Sequence, residues 1–98
     1  MIVVRDVFQA RYGKGDELVA LMKEMMQASP PGSGPAMRIL TDRSGPFFTV
    51  VTETQVESMG EWERMMAESF GDARFEGLFA RMVPLVESGR REFYHVEA

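Results

Sequence analysis

The sequence predicts an α+β domain in which four strands form one antiparallel sheet and the helices pack on a single face. Three observations lead there. Segments of helical apolar spacing alternate with segments rich in β-branched and aromatic residues. Their order reads β-α-β-β-α(α)-β. Ninety-eight residues, 45% of them hydrophobic and 27% charged, suffice for one folded core.

Residues 2–9 (IVVRDVFQ) read as the first strand, and Gly13-Lys-Gly15 breaks it. Asp16 stands where an N-cap or first-turn acid meets the positive end of a helix dipole. Leu18, Leu21, Met22 and Met25 then make one apolar stripe, with Met26 alongside. Lys23, Glu24 and Gln27 fall on the other side. Residues 29–35 (SPPGSGP) can be neither helix nor strand, and are too short for an interdomain tether, so one domain over 1–98 is expected.

Residues 37–43 and 47–55 read as two strands joined by Ser44-Gly45-Pro46. Ser58 and Glu61 match the capping box, which opens a helix carrying Met59, Trp62, Met66 and Phe70 inward. Gly71-Asp72 interrupts that helix. Asp72 can cap another, with Phe75, Leu78, Phe79, Met82 and Val86 on one face. Pro84 predicts a kink or an early stop. Residues 90–97 read as the closing strand.

This order is that of the ferredoxin-like split βαβ arrangement, with the first and third strands central. The second strand carries Arg38, Asp42 and Arg43, and the fourth carries Arg91 and Glu92, as suits edges. Apolar residues fall on both faces of the strands: Val3 and Val7 against Ile2, Val4 and Phe8; Phe47 and Val51 against Phe48 and Val50; Phe93 against Tyr94 and Val96. The helices cover one face only. A second copy of the chain is expected on the other.

Composition narrows the function. The absence of cysteine excludes disulfides, thiolate metal sites and a cysteine nucleophile. One histidine and dispersed carboxylates build no metal site, and no cofactor motif is present. A net charge of −4 with scattered basic residues argues against nucleic acid. No apolar run approaches membrane-span length, and no export signal is seen, so the cytoplasm is expected.

The segment GKGDELVALM (13–22) resembles the PGK-x-(E/D)-x-(F/L) helix entry of NIPSNAP-like proteins. The segment DARFEGLFARMVPL (72–85) is similar to their late helix, and EFYHV (92–96) to their closing strand. The resemblance covers most of the chain. It implies a dimeric α+β barrel, a superfamily that includes cofactor-independent antibiotic-biosynthesis-type monooxygenases and haem-degrading enzymes. It further implies two sheets face to face and a pocket between sheet and helices. Two departures stand out. The pocket asparagine usual in those enzymes has no counterpart, since the chain has no asparagine. The only histidine, His95, lies on an expected strand rather than on a helix.

A small apolar or aromatic ligand between sheet and helices is therefore expected, with Trp62, Met66, Phe79 and Phe48 as lining. His95 or Arg38 would be the polar contact. The enzymatic alternative is cofactor-independent oxygenation of an aromatic substrate, with His95 as the one base titrating near neutrality. Against these stand plainer roles: Trp62 and the methionines as core, His95 as an edge residue, and Arg5, Arg38 and Glu53 as a solvated edge or interface salt bridge. A structural or regulatory dimer without a pocket is the third reading.

Overall fold

Strands β1 (Ile2–Ala10) and β3 (Thr49–Val56) form the middle of the sheet, with β2 (Met37–Thr41) and β4 (Val86–His95) at its edges. The order is β2-β3-β1-β4 and every neighbouring pair is antiparallel. The computed structural model describes residues 1–28 and 36–98, so the connector expected at 29–35 lies outside the described residues. Helices α1 (Gly15–Ala28), α2 (Met59–Phe70) and α3 (Ala73–Met82) complete the expected split-βαβ fold.

Local chemistry sets most boundaries. The Glu61 amide donates to Ser58 Oγ at 3.2 Å, as a capping box requires. The reciprocal arm is displaced by one residue: Glu61 Oε2 accepts from the Glu57 amide rather than that of Ser58. Asp72 caps α3 by accepting from the Arg74 amide at 2.8 Å. Pro84 ends that helix, and Val83–Leu85 form a single 3-10 turn before β4.

Two strands differ from expectation. β2 and β3 stop short of the loop between them, so Asp42 and the pair Phe47–Phe48 are not strand residues. Phe48 has φ +61, a left-handed conformation that a bulky side chain rarely takes. Tertiary contacts hold it there. Its carbonyl accepts from the Ala10 amide at 2.9 Å, and its ring fills the space left by the missing Cβ of Gly15. β4 begins four residues earlier than expected, because its pairing with β1 runs through Gly89 and Ser88 to a register shift beside Ala10.

The core lies between α1 and the sheet. Leu18 is fully enclosed, and Ala10, Met22 and Val50 pack around it. By contrast, α2 and α3 contain no fully buried residue. Of the stripe expected to face inward on α2, Trp62 and Met66 are half-buried, while Met59 and Phe70 are exposed. Those two helices cover the sheet loosely.

The register shows what each sheet face carries, because directly opposed residues share a face. The face away from the helices has four parallel rows, an outer one being the polar Thr49, Gln9 and Ser88. Leu40, Val51 and Val7 form another, ended on β4 by Arg90, and Gln55, Val3 and Tyr94 a third. Between them runs Arg38–Glu53–Arg5–Glu92, one residue from each strand, with signs alternating across the whole sheet. Glu53 takes both arginines, at 2.5 Å from Arg38 and 2.6 Å from Arg5, and Arg5 lies 5.4 Å from the Tyr94 ring centroid. Hydrogen bonds from Arg38 and Arg5 hold the Glu53 carboxyl below the usual glutamate range. This open face is thus mostly apolar in the two rows that flank the charged one, and Arg5, Arg38 and Glu53 form the salt bridge that was one of their expected roles.

Candidate functional site

On the helix side, alternation along β4 puts Arg91, Phe93 and His95 on one face. Directly across from Arg91 stands Asp6 of β1. The two form a bidentate pair, Nε to Oδ1 at 2.6 Å and NH2 to Oδ2 at 3.0 Å. Trp62 of α2 closes over them: its ring lies 4.8 Å from the Arg91 guanidinium carbon and meets Phe93 edge-on at 5.1 Å. The hydrogen bond that Arg91 donates to Asp6 raises the Arg91 pKa above its ordinary value, against the opposing effect of burial. The guanidinium is thereby held by a carboxylate with an indole beside it, and its NH1 group is uncommitted to Asp6.

Such a pair is unusual beneath a helix. The sequence supplies charge where a purely structural interface would supply aliphatic side chains, because on the helix-facing side of β1 Asp6 stands between Val4 and Phe8. The arrangement can present N–H donors beside an aromatic wall. Since Asp6 already neutralises the cation, it suits a carbonyl or phenolic oxygen better than a free carboxylate.

The residues singled out from sequence are divided by the fold. Trp62 is in this cluster, and half-buried Met66 lies one turn along α2. His95 shares the same sheet face but stands exposed at the end of β4, opposite Ile2. Phe79 stacks on Phe75 across α3, centroids 6.4 Å apart, and is 42% exposed. Phe48 sits at the N-terminus of α1, against Tyr12 and Gly15. Arg38 is on the open face with Glu53, the side of the sheet away from Trp62. One lining made of all five is therefore not what the fold assembles. Asp6 and Arg91 were not singled out as site residues. Their alternation with Phe93 and with Val4 was the available signal.

Two recesses lie away from Trp62: one of about 260 Å³ at the start of α1 and one of about 580 Å³ between α1 and α3. Among the described residues no three His, Asp or Glu side chains converge as metal ligands, and no helix is long and apolar enough to cross a membrane.

Superposition on solved structures decides the architecture. An uncharacterised NIPSNAP domain protein from Burkholderia xenovorans matches with a TM-score of 0.85 over 100% of this chain and 96% of its own, at 18% identity. The fold is that of NIPSNAP domain proteins. A NIPSNAP family protein from Agrobacterium tumefaciens matches similarly, with a TM-score of 0.83 and 21% identity over 96% of this chain and 90% of the other. A candidate antibiotic biosynthesis monooxygenase from Deinococcus radiodurans shares the NIPSNAP-like fold at a TM-score of 0.74 and 15% identity, covering 100% and 94%. No protein-family model matches the sequence, and no curated protein matches it significantly. At these identities the likeness establishes the fold.

Proposed function

We propose that this chain is a homodimer, paired through the open sheet face, that binds a small aromatic molecule bearing a carbonyl or phenolic oxygen beneath α2. The observation that carries the ligand reading is the Asp6–Arg91 pair under Trp62. The Arg91 side chain is 41% exposed, so its N–H donors stay open to a ligand while Asp6 and Trp62 hold the guanidinium in place. Because α2 buries no residue fully, lifting it to admit a flat ligand breaks few apolar contacts.

The dimer reading rests on the open face. No helix covers its rows, and they carry Leu40 at 37% and Tyr94 at 46% exposure beside Val51, Val7 and Val3. A second copy meeting this face would shelter those side chains.

Trp62 is the only tryptophan, so its emission reports directly on the site. Titration with a panel of phenols and quinones is expected to quench it saturably. Arg91→Met, which keeps the stem over the indole but removes the donors, weakens that binding about tenfold to a hundredfold. Emission indifferent to the whole panel at millimolar concentration would defeat the reading.

His95 supports one enzymatic alternative, because it lies on the same face two residues beyond Phe93. A base there can take a phenolic proton and so prepare the ligand for reaction with oxygen. Quinol-dependent oxygen consumption is then expected in the wild type and lost in His95→Ala. Consumption equal in the two proteins removes His95 from the chemistry.

A further inference from the structure

We propose that the recess at the start of α1 is a second binding site, and that it takes a small organic cation of the methylated-ammonium class. The recess, about 260 Å³, is bordered by Phe47, Phe48, Asp16, Asp42, Thr41 and Thr49, among others. It lies at the opposite end of β1 from Ile2 and His95, beside the strand's Gln9–Ala10 terminus, where Gln9 Nε2 donates to the Phe47 carbonyl at 2.6 Å.

Three features select the ligand. The first is aromatic walls. Phe47 and Phe48 line the recess with centroids 6.5 Å apart and planes at 62°, and Tyr12, outside the lining, braces them edge-on at 6.4 Å and 4.9 Å. Rings turned at large angles to one another offer π faces in several directions, as recognition of an alkylated ammonium requires, since the attraction acts within about 6 Å of a centroid. Phe47 and Tyr12 are 70% and 82% exposed. Apolar rings held that far in water are not serving the core.

The second is charge. Among the described residues, neither Asp16 nor Asp42 forms an ion pair, and the one nearby lysine, Lys14, is engaged by Glu17 at 3.2 Å. No lysine or arginine lines the recess. The carboxylates exclude a phosphate or carboxylate ligand, although a helix N-terminus would otherwise favour one. The third is rigidity. Phe48 is kept at φ +61 by the Ala10 amide and the Gly15 notch, while Asp42 Oδ1 accepts from the Thr49 amide at 3.0 Å. Walls fixed in an uncommon backbone conformation are what a preorganised site needs.

Choline chloride titrated into the full chain, followed by calorimetry and amide NMR at constant ionic strength, tests this. Saturable binding is expected, with the shifts confined to residues around the recess. The uncharged carbon isostere of choline, dimethylbutanol, is expected not to bind. Phe47→Ala removes an exposed ring, and Asp42→Asn keeps the acceptor for Thr49 while removing charge. Each weakens choline about tenfold without altering the fold. Equal binding of choline and its neutral isostere overturns the proposal, as does the absence of saturable choline binding in the low-millimolar range. So does a Phe47→Ala protein whose state of association changes while its choline affinity does not, because the rings would then belong to a protein contact. None of these outcomes bears on the Trp62–Arg91 cluster.

Discussion

Val51→Glu is expected to convert the protein from a particle of about twice 11.1 kDa to one of 11.1 kDa at micromolar concentration. Val51 stands on β3 between Leu40 and Val7, at the centre of the apolar row on the open face. A twofold interface repeats every substitution, so one change buries two carboxylates. The cations of this face are already engaged, Arg38 and Arg5 by Glu53 and Arg90, at the end of the row, by Glu92. Burying an unpaired charge costs several kcal/mol, enough to raise the dimer dissociation constant at least a thousandfold. The side chain points away from α1, so circular dichroism should stay native. Sedimentation velocity checks both states. A wild-type chain that sediments as a single 11.1 kDa species removes the dimer. A Val51→Glu variant that remains paired shows that the contact lies elsewhere.

Leu18→Ala is expected to cost about 2–5 kcal/mol of folding free energy, a large part of the roughly 5–15 kcal/mol typical of a domain. Leu18 is wholly enclosed on α1, with Ala10, Met22 and Val50 around it, and these form the principal core cluster. α2 and α3 bury no residue fully and have little core of their own to offer in compensation. Urea unfolding at fixed protein concentration should show a lower midpoint with an unchanged slope. Met26→Ala, on an exposed position of the same helix, serves as control and should stay within about 1 kcal/mol. A Leu18 loss no greater than that of Met26 would mean that α1 does not anchor the fold.

Where local chemistry decides, the sequence was readable. Ser58, Asp72 and Pro84 mark helix ends because each acts on backbone groups within a turn of itself. The central placement of β1 and β3 followed from the element order, with charge on the other two strands in keeping, although Arg5 and Asp6 made β1 the poorer fit. Phe47 and Phe48 were misread as strand because their composition is strand-like. Gly15, far along the chain, and the Ala10 amide decide the conformation of Phe48 instead. The candidate cluster beneath α2 was half legible. Trp62 announced itself as the single tryptophan, but Asp6 and Arg91 are 85 residues apart, and only strand register brings them together. Arg38 was placed with Trp62 for want of that register, which sends it to the other side of the sheet.

The alternating charges on the open face carry a rule of symmetry. Read from β2 to β4, the row Arg38–Glu53–Arg5–Glu92 runs plus, minus, plus, minus, and reversing it inverts every sign. Copies rotated about an axis parallel to the strands would set Arg38 over Glu92 and Glu53 over Arg5. Rotation about an axis along the row would set each charge over its own twin. The face therefore matches itself in only one of two orientations, and four side chains are enough to choose the direction of the twofold axis.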